Sequence, residues 1–162
     1  MTTNNNASKR TVAREYAFKF LYKHLLENFE DEKFDILQDD KFLTDALTLF
    51  DNSYHEEDIE HTDNKADIQS KDFAKKLIIG ALKDEKEFSK LIEKNLTNNN
   101  IQKVDRMNLA VLLLGTFEIT NTPETNASVF INEYINIAKK YCPNDSHGFI
   151  NSVLDKIAKS IN

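Results

Sequence analysis

Three glycines and two prolines in 162 residues are too few to punctuate a many-stranded sheet. Leu, Lys, Glu, Ala and Asn fill the periodic stretches instead, so the composition predicts an all-α fold of a size that buries a real core. A single cysteine, Cys142, excludes an internal disulfide. The polar start MTTNNNASKR shows no signal-peptide pattern, which makes a reducing cytoplasm the expected setting. The longest apolar run, Leu109 to Leu114, falls far short of the roughly 20 residues that cross a bilayer. No membrane span, internal repeat, P-loop or dinucleotide fingerprint is present.

Groups for catalysis are equally scarce. His55-Glu56-Glu57 has its next histidine, His61, six residues on, about 240° round a helix, where a zinc-protease pair needs four. His147 has no partner fixed by sequence, and Cys142 lies on an apolar stripe where a buried thiol is expected. No enzyme, metal or cofactor is expected.

The net charge of −6 argues against a nucleic-acid partner until the chain is divided. Residues 1–26 carry +4, residues 27–68 carry −12 and residues 69–162 carry +2. Almost all the acidity belongs to one segment, and a local positive field survives beside it. A basic N-terminus is also what a solubilising tail looks like.

Beyond a disordered Asn/Thr tail over residues 1–7, apolar spacing predicts a first helix over 8–28, with Ala13, Tyr16, Ala17, Phe20 and Leu21 facing the core. Arg10, Arg14, Phe18 and Tyr22 follow at i+4 steps and form a stripe beside that face. Leu43, Ala46, Leu47 and Phe50 suggest a second helix, and residues 52–65 read as a mobile acidic loop. A third helix over 68–83 buries Phe73, Leu77, Ile78 and Ala81. Asp84 and Glu87 form a candidate capping box for a fourth, with Phe88, Leu91, Ile92 and Leu96 inward. Asn98, Asn99 and Asn100 mark a turn. Residues 105–120 are apolar almost all round, as a central helix packed on several sides must be.

The last third carries the most information. Ala127, Phe130, Ile131, Tyr134, Ile135, Ala138, Tyr141 and Cys142 share one helical face. Pro143 breaks that helix, Asn144, Asp145 and Ser146 offer cap oxygens, and Ile150, Val153, Leu154, Ile157 and Ile161 restart a stripe. Phe149 sits at its edge. An aromatic ring is thereby placed beside a helix N-terminus, whose unpaired N–H groups favour anions.

These pieces together resemble the NusB family of transcription antitermination factors. The resemblance rests on Ala13-Arg14-Glu15 with Leu21-Tyr22, Val104-Asp105-Arg106 leading to Glu118, and Pro123 before Ile131-Asn132-Glu133. Ala138-Lys139 and Phe149-Ile150-Asn151 before Val153-Leu154-Asp155 complete it in the family's order. It thins across residues 30–65, where the acidic insertion is long. The resemblance implies one RNA-binding domain over 1–162, of about seven helices in two bundles around a buried central helix. It also implies binding to single-stranded boxA-type RNA of ribosomal RNA leaders, with the ribosomal protein NusE, inside an RNA polymerase antitermination complex.

RNA contacts carried over from the family fall on Lys9, Arg10, Arg14, Tyr22, Asp145 and Phe149; aromatic stacking and phosphate contacts are what single strands require. Asp105 and Glu118 match positions near the NusE-facing surface, although Asp105 is also a natural helix cap and Glu118 a natural partner for a nearby basic group. Two departures stand out: the arm has fewer arginines than many relatives, and Gly148 occupies a place where a basic residue is common. NusB-like domains also precede a catalytic domain in certain ribosomal RNA cytosine methyltransferases; the expectation here is a chain without one. A scaffold that binds only a basic protein through the acidic segment is the alternative, and a homodimer of the free chain is left open.

Overall fold

The computed structural model describes residues 4–26, 30–57 and 68–161. Among them are eight α-helices, one short 3-10 turn and no strand. The all-α expectation therefore holds. The chain gathers into two compact units, Met1–Leu82 and Lys83–Asn162.

The first unit contains α1 (Asn4–Leu26), α2 (Glu30–Gln38), α3 (Asp40–Glu57) and α4 (Ile68–Lys83). Helix α1 begins at Asn4, four residues before the start at Ser8 that the apolar spacing predicts. Ala13, Tyr16, Ala17, Phe20 and Leu21 are buried as the spacing predicts. Burial nevertheless runs without a break from Ala13 to Phe18, taking in Arg14 and Glu15, so α1 is enclosed round more of its circumference than one stripe. The ring of Phe50 on α3 meets Tyr16 and Phe20 edge-on, at 5.2 and 5.5 Å between centroids. The Tyr16 hydroxyl donates to Asp51 Oδ1, whose other oxygen pairs with Lys71 of α4 at 2.6 Å.

Helix α2 was not foreseen, because only Ile36 of it is buried and its acidic residues hide any period. Helix α3 continues to Glu57, past the expected loop start at Asn52; residues 58–65 of that loop and His61 lie outside the described residues.

The second unit contains α5 (Glu85–Lys94), α6 (Arg106–Asn121), α7 (Ala127–Tyr141) and α8 (Ser146–Ser160). Helix α6 packs against the other three, and eleven of its residues from Asn108 to Ile119 are buried. Its glycine has a packing purpose: a Cβ on Gly115 would lie 2.9 Å from Leu154 Cδ1 and 3.0 Å from Cδ2, so α6 and α8 meet closely there. The expected capping box at Asp84 does not form, since that side chain makes no cap hydrogen bond. Ile137 takes the buried place expected of Ile135, and Ile161 is exposed beyond the end of α8. Asn99 adopts a φ of 51° within the asparagine turn, a conformation asparagine tolerates.

Candidate nucleic-acid interface

The candidate residues fall into two groups, one in each unit. In the first unit, α1 and α4 build a small cationic surface. The Lys9 ammonium donates to Gln69 Oε1 at 3.0 Å, and Ser70 Oγ donates to the Lys9 carbonyl oxygen at 3.1 Å, which ties the start of α1 to α4. The guanidinium carbons of Arg10 and Arg14 lie 5.1 and 5.6 Å from the centroid of the Phe73 ring. Both are cation–π distances. Their surroundings differ in the respect that matters: Arg10 is exposed, whereas Arg14 is 4% exposed.

Arg14 is packed beside the Phe73 ring with its side chain buried. Phe73 is half-exposed, holding the two guanidinium groups instead of filling the core. Tyr22, three turns beyond Arg10, is half-buried, and its ring lies nearly parallel to that of buried Phe18 at 6.4 Å and 13°. It keeps access to solvent while the ring behind limits its freedom.

In the second unit, Asp105 caps α6 by accepting from Met107 N at 2.9 Å and Asn108 N at 3.3 Å. The carboxylate remains exposed. Glu118 is 5% exposed, and its Oε2 accepts from the Tyr134 hydroxyl at 2.6 Å. A carboxylate so enclosed is held within its own unit by the α7 hydroxyl.

Asp145 precedes α8 without capping it, and its side chain is exposed. Phe149, 37% exposed, forms part of an open cleft of about 560 Å³ together with Asp105, Lys103, Pro143, Ser146 and Asn108. Spacing alone could not bring Asp105 and Phe149 to one cleft; the packing of α6 against α8 does. Gly148 lies exposed near the start of α8, with open space where a Cβ would stand.

Asn108 also lines this cleft, a position that sequence reasoning did not single out. It belongs to the apolar run of α6 and is 8% exposed, and no protein group lies within hydrogen-bonding reach of its Oδ1. A lone polar residue in a helix otherwise apolar all round was the available signal.

Burial, and then the nearby Asp105 carboxylate, push the Cys142 thiol up to about 11, which leaves it protonated and inert at neutral pH. Among the described residues no cluster of histidine, cysteine and carboxylate side chains could hold a metal ion, and no helix is long and apolar enough to cross a membrane.

One unit thus carries a basic, aromatic-backed helix, and the other, taken by itself, an aromatic cleft at a helix start. The NusB family model matches residues 11–159. The chain belongs to the NusB family. The transcription antitermination protein NusB of Buchnera aphidicola subsp. Cinara cedri is 32% identical over 159 residues, covering 96% of this chain and 94% of its own. The fold is similar to that of T. maritima NusB, with a TM-score of 0.69, 26% identity and coverage of 93% and 90% of the two chains. It is also similar in fold to a chain in a crystal structure of the antitermination factors NusB and NusE with double-stranded RNA, at TM-score 0.69, 24% identity and coverage of 94% and 97%.

Proposed function

We propose that this NusB-family transcription antitermination factor binds boxA-type RNA of ribosomal RNA leader transcripts in single-stranded form, together with NusE, and acts within an RNA polymerase antitermination complex. The observation that carries the reading is that the first unit places exposed or half-exposed cations, Lys9 and Arg10, on the same helix as the solvent-reaching ring of Tyr22, while the second unit presents the ring of Phe149. Phosphates need the former and unstacked bases the latter. A fold-level relative solved with NusE and RNA supports the two partner classes. The chain acts in this reading as one RNA-binding domain, with Asp145 beside Phe149 at the start of α8 and Asp105 facing the protein partner.

Titration of a labelled boxA-type RNA into the protein, with and without NusE, tests this. Binding that is tighter with NusE present, and weaker for the duplex of the same sequence, is expected. Absence of RNA binding under both conditions contradicts it.

A second reading, a scaffold for a basic protein alone, has its own observation. Phe34, Phe42 and Leu49 of α2 and α3 are 63%, 50% and 70% exposed within the strongly acidic segment 27–68. NusE capture with no RNA binding is the outcome that would select it.

A further inference from the structure

Phe73 of α4 has the spacing of a core residue, yet its ring stays half-exposed beside two guanidinium groups. The guanidinium carbons of Arg10 and Arg14 lie 5.1 and 5.6 Å from its centroid. Arg14 is enclosed, so Arg10 is the member of the pair that solvent reaches. The helix that carries the ring is itself fastened to α1. One turn before Phe73, Ser70 Oγ donates to the Lys9 carbonyl oxygen and Gln69 Oε1 accepts from the Lys9 ammonium, next to Arg10 in the chain. Lys71 pairs with Asp51, which also accepts from the Tyr16 hydroxyl of α1.

The chemistry of the contact says what such a ring can do. A carboxylate partner would also fix a guanidinium, but it would neutralise the charge and occupy the N–H donors. An aromatic partner attracts the cation through its quadrupole and leaves charge and donors for an anion. A free arginine side chain gives up much rotamer freedom when it captures a phosphate, and one that is held beforehand gives up less. We propose that Phe73 is a positioning residue for RNA binding, whose ring holds the Arg10 guanidinium ready for a phosphate without itself touching RNA. The proposal rests on the RNA-binding reading above and adds to it a residue of α4.

Affinity for a boxA-type oligonucleotide and thermal melting are measured on the whole chain for the wild type, Phe73→Leu, Phe73→Met and Phe73→Tyr, and again in an Arg10→Ala background. Leucine and methionine keep apolar bulk without a ring, so each should weaken binding about two- to fivefold, the worth of an exposed cation–π contact as a ratio of dissociation constants. Phe73→Tyr keeps the ring and should bind as the wild type does. In the Arg10→Ala background the two ringless substitutions should cost nothing further, since the side chain they position is gone. Affinities are compared per folded molecule, so that a loss of stability around the enclosed Arg14 does not count as a loss of binding. Unchanged affinity in both ringless variants, a loss of the same size in the Arg10→Ala background, or a Phe73→Tyr variant as weak as Phe73→Leu overturns the positioning role alone. Failure of the wild type to bind the RNA, with NusE or without it, overturns the RNA reading and the positioning role together.

Discussion

Arg10 and Arg14 lie one helical turn apart and share the ring of Phe73, yet their substitutions should report on different properties. Arg10→Ala removes an exposed cation. Its expected effect is a flattening of the log affinity against log salt slope by about 0.7, with the melting temperature nearly unchanged. Arg14→Ala opens a buried position and should instead lower stability by about 1–3 kcal/mol in a denaturant titration. The i+4 stripe was legible in the sequence, but its division into exposed and enclosed members depends on how far α4 wraps round α1, which no local pattern encodes.

His24 gives the first unit a pH dependence of known sign. Desolvation by burial, and then the charge of Lys23, lower its pKa to about 3. The ring lies 4.0 Å from that of Phe20. Between the unfolded value near 6.5 and the folded value near 3, the unfolded chain binds more protons, so stability is complete above the unfolded pKa and falls as the pH drops. From pH 7 to pH 5 the loss from this group should be about 2 kcal/mol. Denaturant titrations at the two pH values check it, and His24→Leu should remove most of the difference.

At the scale of elements, two glycines of the second unit make opposite predictions. Gly115→Val drives a branched side chain into the buried Leu154, and should cost about 1–3 kcal/mol of stability. Gly148→Lys meets open space, and the gain in helix propensity offsets the unfavourable placing of a cation at a helix start. Stability should stay within about 1 kcal/mol of the wild type. RNA affinity should rise with a salt slope steeper by about 0.7, because the variant restores the charge that the family resemblance expects at this place. A melting curve and a salt series on each variant decide both.

The same scale shows what sequence could and could not foresee. Helices α4, α6, α7 and α8 were readable because apolar residues recur at helical spacing or surround the helix entirely. Helix α2 was not, having one buried residue and four acidic ones in nine positions. Phe149 was visible as the edge of a stripe, whereas Asn108 was concealed inside an apolar run whose tertiary neighbours give it meaning. Glu118 could be matched to a family position, but its depth depends on Tyr134 reaching across from α7.

For the whole molecule, the sign of the net charge is a poor guide to partners. The acidity is concentrated in residues 27–68, and the chain outside that segment is positive. Long-range repulsion of RNA by this segment is screened beyond about 10 Å at 0.1 M ionic strength, so the acidic segment does not by itself keep RNA from Lys9 and Arg10. The most direct test of RNA recognition is one titration of labelled boxA-type RNA into the wild type, Tyr22→Ala and Phe149→Ala, with melting curves on the same samples. Each ring should contribute on the order of 1–3 kcal/mol to binding, since that is the usual worth of a base stacked on an aromatic side chain. Both variants should melt close to the wild type. Undiminished affinity per folded molecule in both, accompanied by a large loss of stability, would return the two rings to the core and contradict RNA recognition by these rings.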